Sequence, residues 1–131
     1  MLQGNLILNT QAQYHSLSGK VIFITGGASG IGRAMVESFV KQQAKVAFID
    51  IDDEAAQALI SDLPDANLWY RQVDVTDSNA LQKSLVDACA ALGSVNVLVN
   101  NVANDRRQAS EDVTVKDWDQ CLQINLNPAF F

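Results

Sequence analysis

An apolar run, Val21-Ile22-Phe23-Ile24, breaks at Thr25 into Gly26-Gly27-Ala28-Ser29-Gly30-Ile31-Gly32 and then into a helical pattern; no other stretch constrains the chain as much. Apolar residues on both faces suit a strand covered by helices on either side. Small residues let backbone N–H groups approach an anion, and the positive end of the following helix points at it. This is the anatomy of a phosphate-binding strand–turn–helix junction, with a tight turn that holds no ligand as the plain alternative.

The rest of the chain repeats the alternation. Strands are expected at Val21–Ile24, Val46–Asp50, Leu68–Val73 and Val97–Asn100, and helices at Ile31–Gln43, Asp53–Leu63, Ser78–Leu92 and Val115–Ile124. Such alternation means a parallel sheet with crossover helices. Val21–Ile24 and Val46–Ile49 are apolar on both faces, whereas Leu68–Val73 carries Arg71 and Gln72 and suits an edge, which gives the strand order 3-2-1-4. Val97-Leu98-Val99 also reads as an interior strand, shaped to pair with a fifth. In the first helix Ile31, Met35 and Phe39 are expected to pack, with Arg33, Glu37 and Lys41 outside. In the third, Leu81, Leu85, Ala88 and Leu92 form the inward stripe and Lys83 pairs outward with Asp87. Asp52 starts the second helix and Pro64 stops it, and Thr114 with Asp117 resembles a capping box. Residues 1–18, polar around Leu6-Ile7-Leu8, read as a leader, and residues 19–131 as one dinucleotide-binding domain.

Composition narrows the function classes. A net charge of −6 repels phosphodiester backbones, so no nucleic-acid partner is expected. The longest apolar runs fall well short of the ~20 residues that cross a bilayer, so no membrane association is expected either, and the location reads as cytoplasmic. Cys89 and Cys121 lack neighbouring ligands and read as reduced core thiols, and the single histidine, His15, as a solvated side chain. No metal site is indicated.

Asp50 ends the second strand, 18 residues beyond Gly32. A carboxylate there can accept hydrogen bonds from the adenosine ribose hydroxyls, and it would repel a 2′-phosphate. Neither Ile51 nor Ser29 offers a cation, so NAD is favoured over NADP. The plainer reading makes Asp50 the first member of the acidic run to Glu54.

Thr25-Gly26-Gly27-Ala28-Ser29-Gly30-Ile31-Gly32 resembles the TGxxxGxG pattern of the short-chain dehydrogenase/reductases. Asp74-Val75 is similar to that family's adenine-contacting Asp segment, Asn100-Asn101-Val102-Ala103 to its NNAG element, and Ile124-Asn125-Leu126 to the segment with its tetrad Asn. The resemblance covers residues 19–131 and implies a Rossmann-type doubly wound parallel sheet, here incomplete. It implies that Gly26, Gly30 and Gly32 shape a pyrophosphate loop with Thr25 and Ser29, and that Ile31 supplies a backbone contact. By the same resemblance Asp50 holds the ribose, Asp74 and Val75 frame the adenine, Asn100, with Asn101, steadies the cofactor-side strand ends, and Asn125 holds a water in a proton relay. The plainer readings are a helix cap shared with Thr76 and Asp77 for Asp74, and a polar helix position for Asn125.

The sequence departs from the family in two places. Val102 and Ala103 stand where Ala and Gly are usual, which crowds the backbone near the cofactor. The family's Ser and its Tyr and Lys four residues apart are not found: Tyr14 and Tyr70 have Ser18 and Asp74 at i+4. Asn104-Asp105-Arg106-Arg107 is similar to a loop of some sugar-dehydrogenase members and equally suits a solvated loop. The expectation is the cofactor-binding part of an NAD-dependent oxidoreductase interconverting an alcohol and a carbonyl, without turnover of its own. The rival is a truncated product that binds a dinucleotide or pairs with another subunit. A methyltransferase-like fold is a third reading, opposed by the Thr25 glycine pattern and the double Asn. Self-association through the open fourth strand and last helix is expected.

Overall fold

Strands that are apolar on both faces need a layer of helix on each side, and that requirement organises the computed structural model, which describes residues 12–131. The leader expected at 1–18 therefore lies largely outside the described residues, Leu6-Ile7-Leu8 included. Within 12–18 the chain makes one short 3-10 turn, His15–Leu17, with His15 exposed.

Four strands, β1 (Val21–Thr25), β2 (Lys45–Asp50), β3 (Leu68–Gln72) and β4 (Val97–Val99), form a sheet in the order β3-β2-β1-β4. All three pairings are parallel, with Thr25 opposite Ile49, Asp50 opposite Gln72 and Ile24 opposite Val99. Alternation along β1 and β2 then sorts the core. Val21, Phe23, Ala47 and Ile49 face helix α3 (Ser78–Leu92) through Leu81, Ala88 and Leu92. On the other face, Ile22, Ile24, Val46 and Phe48 meet α1 (Gly30–Lys41) and α2 (Asp53–Asp62) through Val36, Ala56 and Leu59. Full burial of each of these large side chains contributes about 1.5–3 kcal/mol.

Caps fix where the helices begin. Asp52 and Asp77 accept hydrogen bonds from the amides of Ala55 and Ala80, and Thr114 and Asp117 form the reciprocal box that opens α4 (Val115–Asn125). A short helix, α5 (Asn127–Phe130), follows. Arg71 on β3 stacks over Trp69 and pairs with Asp87, which also takes Lys83.

Two expectations change. Ile31 does not pack inward: it is 75% exposed, and Gly32 and Val36 take the buried positions of α1. Arg33 lies on the outer side as expected, where it bridges Glu37 and Asp62. Cys121 is exposed on α4 rather than in the core, and Cys89 is only half-buried.

Candidate functional site

The turn between β1 and α1 is held by the end of β2. The Ile49 carbonyl accepts the Gly26 and Gly27 N–H groups at 2.8 and 3.2 Å, and Asp50 Oδ2 accepts the Ala28 N–H at 2.9 Å. Gly26 at φ +69° and Gly30 at φ +53° occupy backbone conformations that other L-residues rarely adopt. Gly32 answers a different need, since a Cβ there would overlap the Gly26 carbonyl oxygen. Ser29 is extended and α1 starts at Gly30, with the Arg33 N–H on the Ser29 carbonyl as its first bond. The N–H groups of Gly30, Ile31 and Gly32 thus precede any helical acceptor. Three amides without an acceptor among the described residues, at the positive end of a 12-residue helix, form an anion cradle.

The cradle opens into a cleft of about 620 Å³ across the carboxyl ends of the strands. The β1–α1 turn contributes Gly26, Ser29, Ile31 and Gly32; β2 contributes Asp50 with Ile51; the segment after β3 contributes Val73, Asp74, Val75 and Thr76. Asn101, Val102 and Ala103 line it from the end of β4, and Gln120, Gln123 and Ile124 from α4. This is the crevice in which open parallel α/β sheets bind ligands. Its lining holds two carboxylates and neither Lys nor Arg.

Each expected residue has a definite place. Asp50 is half-buried, and besides Ala28 it accepts the Asp52 N–H on Oδ1 at 3.0 Å. Asp74 is exposed, and its Oδ1 closes a turn by accepting the Thr76 amide and hydroxyl at 2.9 and 2.8 Å. The helix cap itself is Asp77 alone, so the shared-cap reading of Asp74 does not hold. Thr25 lies beneath the cleft: its buried Oγ1 accepts the Asn101 and Val102 amides at 3.0 and 3.2 Å. Ten expected residues therefore meet in one cleft, while Thr25, Gly30, Asn100 and Asn125 stand outside its lining.

Asn100 and Asn101 differ in what they reach. Asn100 is exposed, and Asn101 makes the latch, donating from Nδ2 to the Thr25 and Gly26 carbonyls at 3.1 and 2.9 Å. Successive residues leaving a strand point to opposite sides, and only the second of the pair faces β1. Val102 packs against the core and closes on Gly26, the crowding its size implied. Asn125 works through its side chain as a clasp: Oδ1 accepts the Asn104 N–H at 2.7 Å, and Nδ2 donates to the Asn104 carbonyl at 3.0 Å. That ties the loop after β4 to the end of α4.

Sequence reasoning missed Gly27, where a Cβ would come within 2.6 Å of Phe48. It also missed the α4 wall. Spacing of three and four from Gln120 to Gln123 and Ile124 was the available signal. Tyr70 lies behind the acidic end of β2, stacked on Phe48 with ring centroids 5.0 Å apart. Burial, reinforced by Asp53, raises its hydroxyl well above the usual tyrosine range, so it does not supply a readily lost proton.

Comparisons with known proteins agree with this geometry. Residues 20–131 match the short chain dehydrogenase family model. The chain is 42% identical over 123 residues to the "Probable galactose dehydrogenase" of Rhizobium meliloti, covering 92% of this chain and 48% of that protein. It is 39% identical over 124 residues to the D-xylose 1-dehydrogenase of Caulobacter vibrioides, covering 93% and 48%. A short-chain dehydrogenase/reductase from Serratia marcescens superposes with a TM-score of 0.83 at 31% identity, over 88% of this chain and 49% of that one. The chain thus spans about half the length of the curated relatives it matches. With the glycine turn, the 3-2-1-4 sheet and the family match in agreement, the chain belongs to the short-chain dehydrogenase family.

Proposed function

We propose that this chain is the cofactor-binding part of an NAD-dependent oxidoreductase that interconverts an alcohol and a carbonyl. The observation that carries the reading is the cleft itself: an anion cradle at one end of a lining that holds Asp50 and Asp74 and no cation. Gly30, Ile31 and Gly32 would take the pyrophosphate on their amides, Asp50 the adenosine ribose, and Val73 and Val75 an adenine face. Bound NAD would supply the hydride acceptor. A 2′-phosphate at Asp50 would meet a carboxylate with no positive charge among the lining residues, which supports NAD over NADP. The relatives named for galactose and D-xylose make a sugar or polyol hydroxyl the substrate class to test first.

Melting the 131-residue chain with each cofactor tests the reading. At a hundredfold excess over Kd, NAD should stabilise the folded chain by about 2.7 kcal/mol, with a smaller shift from NADP. Absence of an NAD-dependent shift in a cooperatively melting sample would overturn it.

A second reading, a dinucleotide-binding or subunit-pairing product without turnover, is favoured by one observation: neither tyrosine carries a Lys four residues on, and the cleft lining holds neither residue type. An in-frame Ser and Tyr-x-x-x-Lys in the coding sequence beyond Phe131 would decide for the enzyme, and a stop codon there for the rival. Self-association belongs to the same proposal. Leu98 on β4 and Trp118 and Phe130 on α4 and α5 are exposed apolar side chains that a second copy could cover. A monomer in sedimentation at high concentration would count against it.

A further inference from the structure

We propose that Asp50 is a positioning residue for the anion cradle, and not only an acceptor for the ribose; the proposal rests on the reading of the cleft as an NAD site. The N–H groups of Gly26, Gly27 and Ala28 are all engaged within the fold, the first two by the Ile49 carbonyl and the third by Asp50 Oδ2. Only after Ala28 does the chain reverse, through extended Ser29 and left-handed Gly30, so that the next amides are free at the start of α1. Asp50 therefore marks the division between amides spent on the fold and amides left for the ligand.

Burial makes that division consequential. Ala28 is 1% exposed, so in the intact turn its N–H depends on the carboxylate rather than on water. The other oxygen, Oδ1, holds the Asp52 amide, and Asp52 caps α2 through the Ala55 amide. One carboxylate thus joins the glycine turn to the first turn of the next helix. Asn keeps the shape but offers one acceptor and one donor, so it satisfies one of the two amides and faces an N–H with an N–H at the other. Ser is too short to reach both.

The two roles predict different responses to NADP. If Asp50 only selects the ribose, removing its charge relieves the 2′-phosphate, and NADP gains what NAD loses. If Asp50 also positions the cradle, NAD loses on both counts and the relief to NADP is offset, because both present the same pyrophosphate to Gly30–Gly32.

The experiment is amide hydrogen exchange on the cofactor-free full chain, with melting shifts for NAD and NADP, in the wild type, Asp50→Asn and Asp50→Ser. The expected result is exchange at Ala28 faster by about tenfold in Asp50→Ser, and at either Ala28 or Asp52 in Asp50→Asn, with Phe23 in β1 unchanged, together with a smaller shift for NAD in both variants. Unchanged exchange at Ala28 in Asp50→Ser, or at both Ala28 and Asp52 in Asp50→Asn, would overturn the positioning role. A wild type without an NAD response, but with Ala28 protection that depends on Asp50, would overturn the NAD reading and retain the positioning role.

Discussion

The β1–β2 centre of the sheet and its β4–α4 flank serve the same cleft but are built differently. Every residue of β1 is buried, the interior of β2 is too, and the turn between β1 and α1 hangs from the end of β2 by three short backbone and side-chain bonds. On the flank, β4 has three residues, Leu98 is 54% exposed, and α4 has no buried residue. Its place beside the cleft rests largely on the Asn125–Asn104 clasp and the packing of α4 against α5. The lesson is a division of labour: anion recognition sits on an over-determined frame, whereas the wall contributed by α4 rests on a few exposed polar contacts.

The largest test of that contrast is in the core. Phe48 is fully buried, packs against Tyr70 and walls off Gly27, so Phe48→Ala should cost about 3–5 kcal/mol in urea unfolding. Leu98→Ser on the flank should stay within about 0.5 kcal/mol. Equal costs would break the comparison.

The two asparagine latches give a smaller difference. Asn101→Ala strips a donor from the Thr25 and Gly26 carbonyls in a part-buried site and should cost about 1–3 kcal/mol. Asn125→Ala removes two exposed bonds whose partners water can serve, and should cost less than about 1 kcal/mol. Its effect should appear instead as faster exchange at the Asn104 amide.

The smallest effect lies in acid. Lys83 and then Arg71 hold the Asp87 carboxyl below the usual carboxylate range, and the Thr114 hydroxyl and amide do the same for Asp117. A lowered folded-state pKa confers stability that is present above the unfolded value of about 3.9 and lost as pH falls through the folded one. Asp87→Asn and Asp117→Asn should each flatten the acid limb of a melting-versus-pH curve. Added salt should erase the Asp87 contribution, which comes from cations, and spare that of Asp117, which comes from neutral donors. An Asp117 contribution as salt-sensitive as that of Asp87 would contradict the assignment.

These two regions also differ in how far they could be read from the chain. The strand order was legible because Val21–Ile24 and Val46–Ile49 leave no polar face, and Arg71 marks β3 as an edge. The bounds of α3 and the Thr114–Asp117 box were legible because local capping chemistry sets them. Ile31 was misplaced for a definable reason. A spacing of four drifts around a helix by about 40° at each step, and the phase of α1 is set instead by Gly32, pressed against Gly26, which no hydrophobic pattern can register. In the site, residue identities were legible but not their partners. Nothing in Asn100-Asn101 says which of the two turns toward β1, and nothing in Asp50 says that two amides already occupy it.

The suspension of Gly26, Gly27 and Ala28 from the end of β2 has a thermodynamic consequence. A free glycine loop would lose conformational entropy when an anion ordered it, and that loss would subtract from affinity. Here the ordering is completed during folding, because the turn is in effect an extra rung of the sheet. Ligand binding should therefore appear as protection of the whole sheet against global unfolding rather than as the local stiffening of a loop.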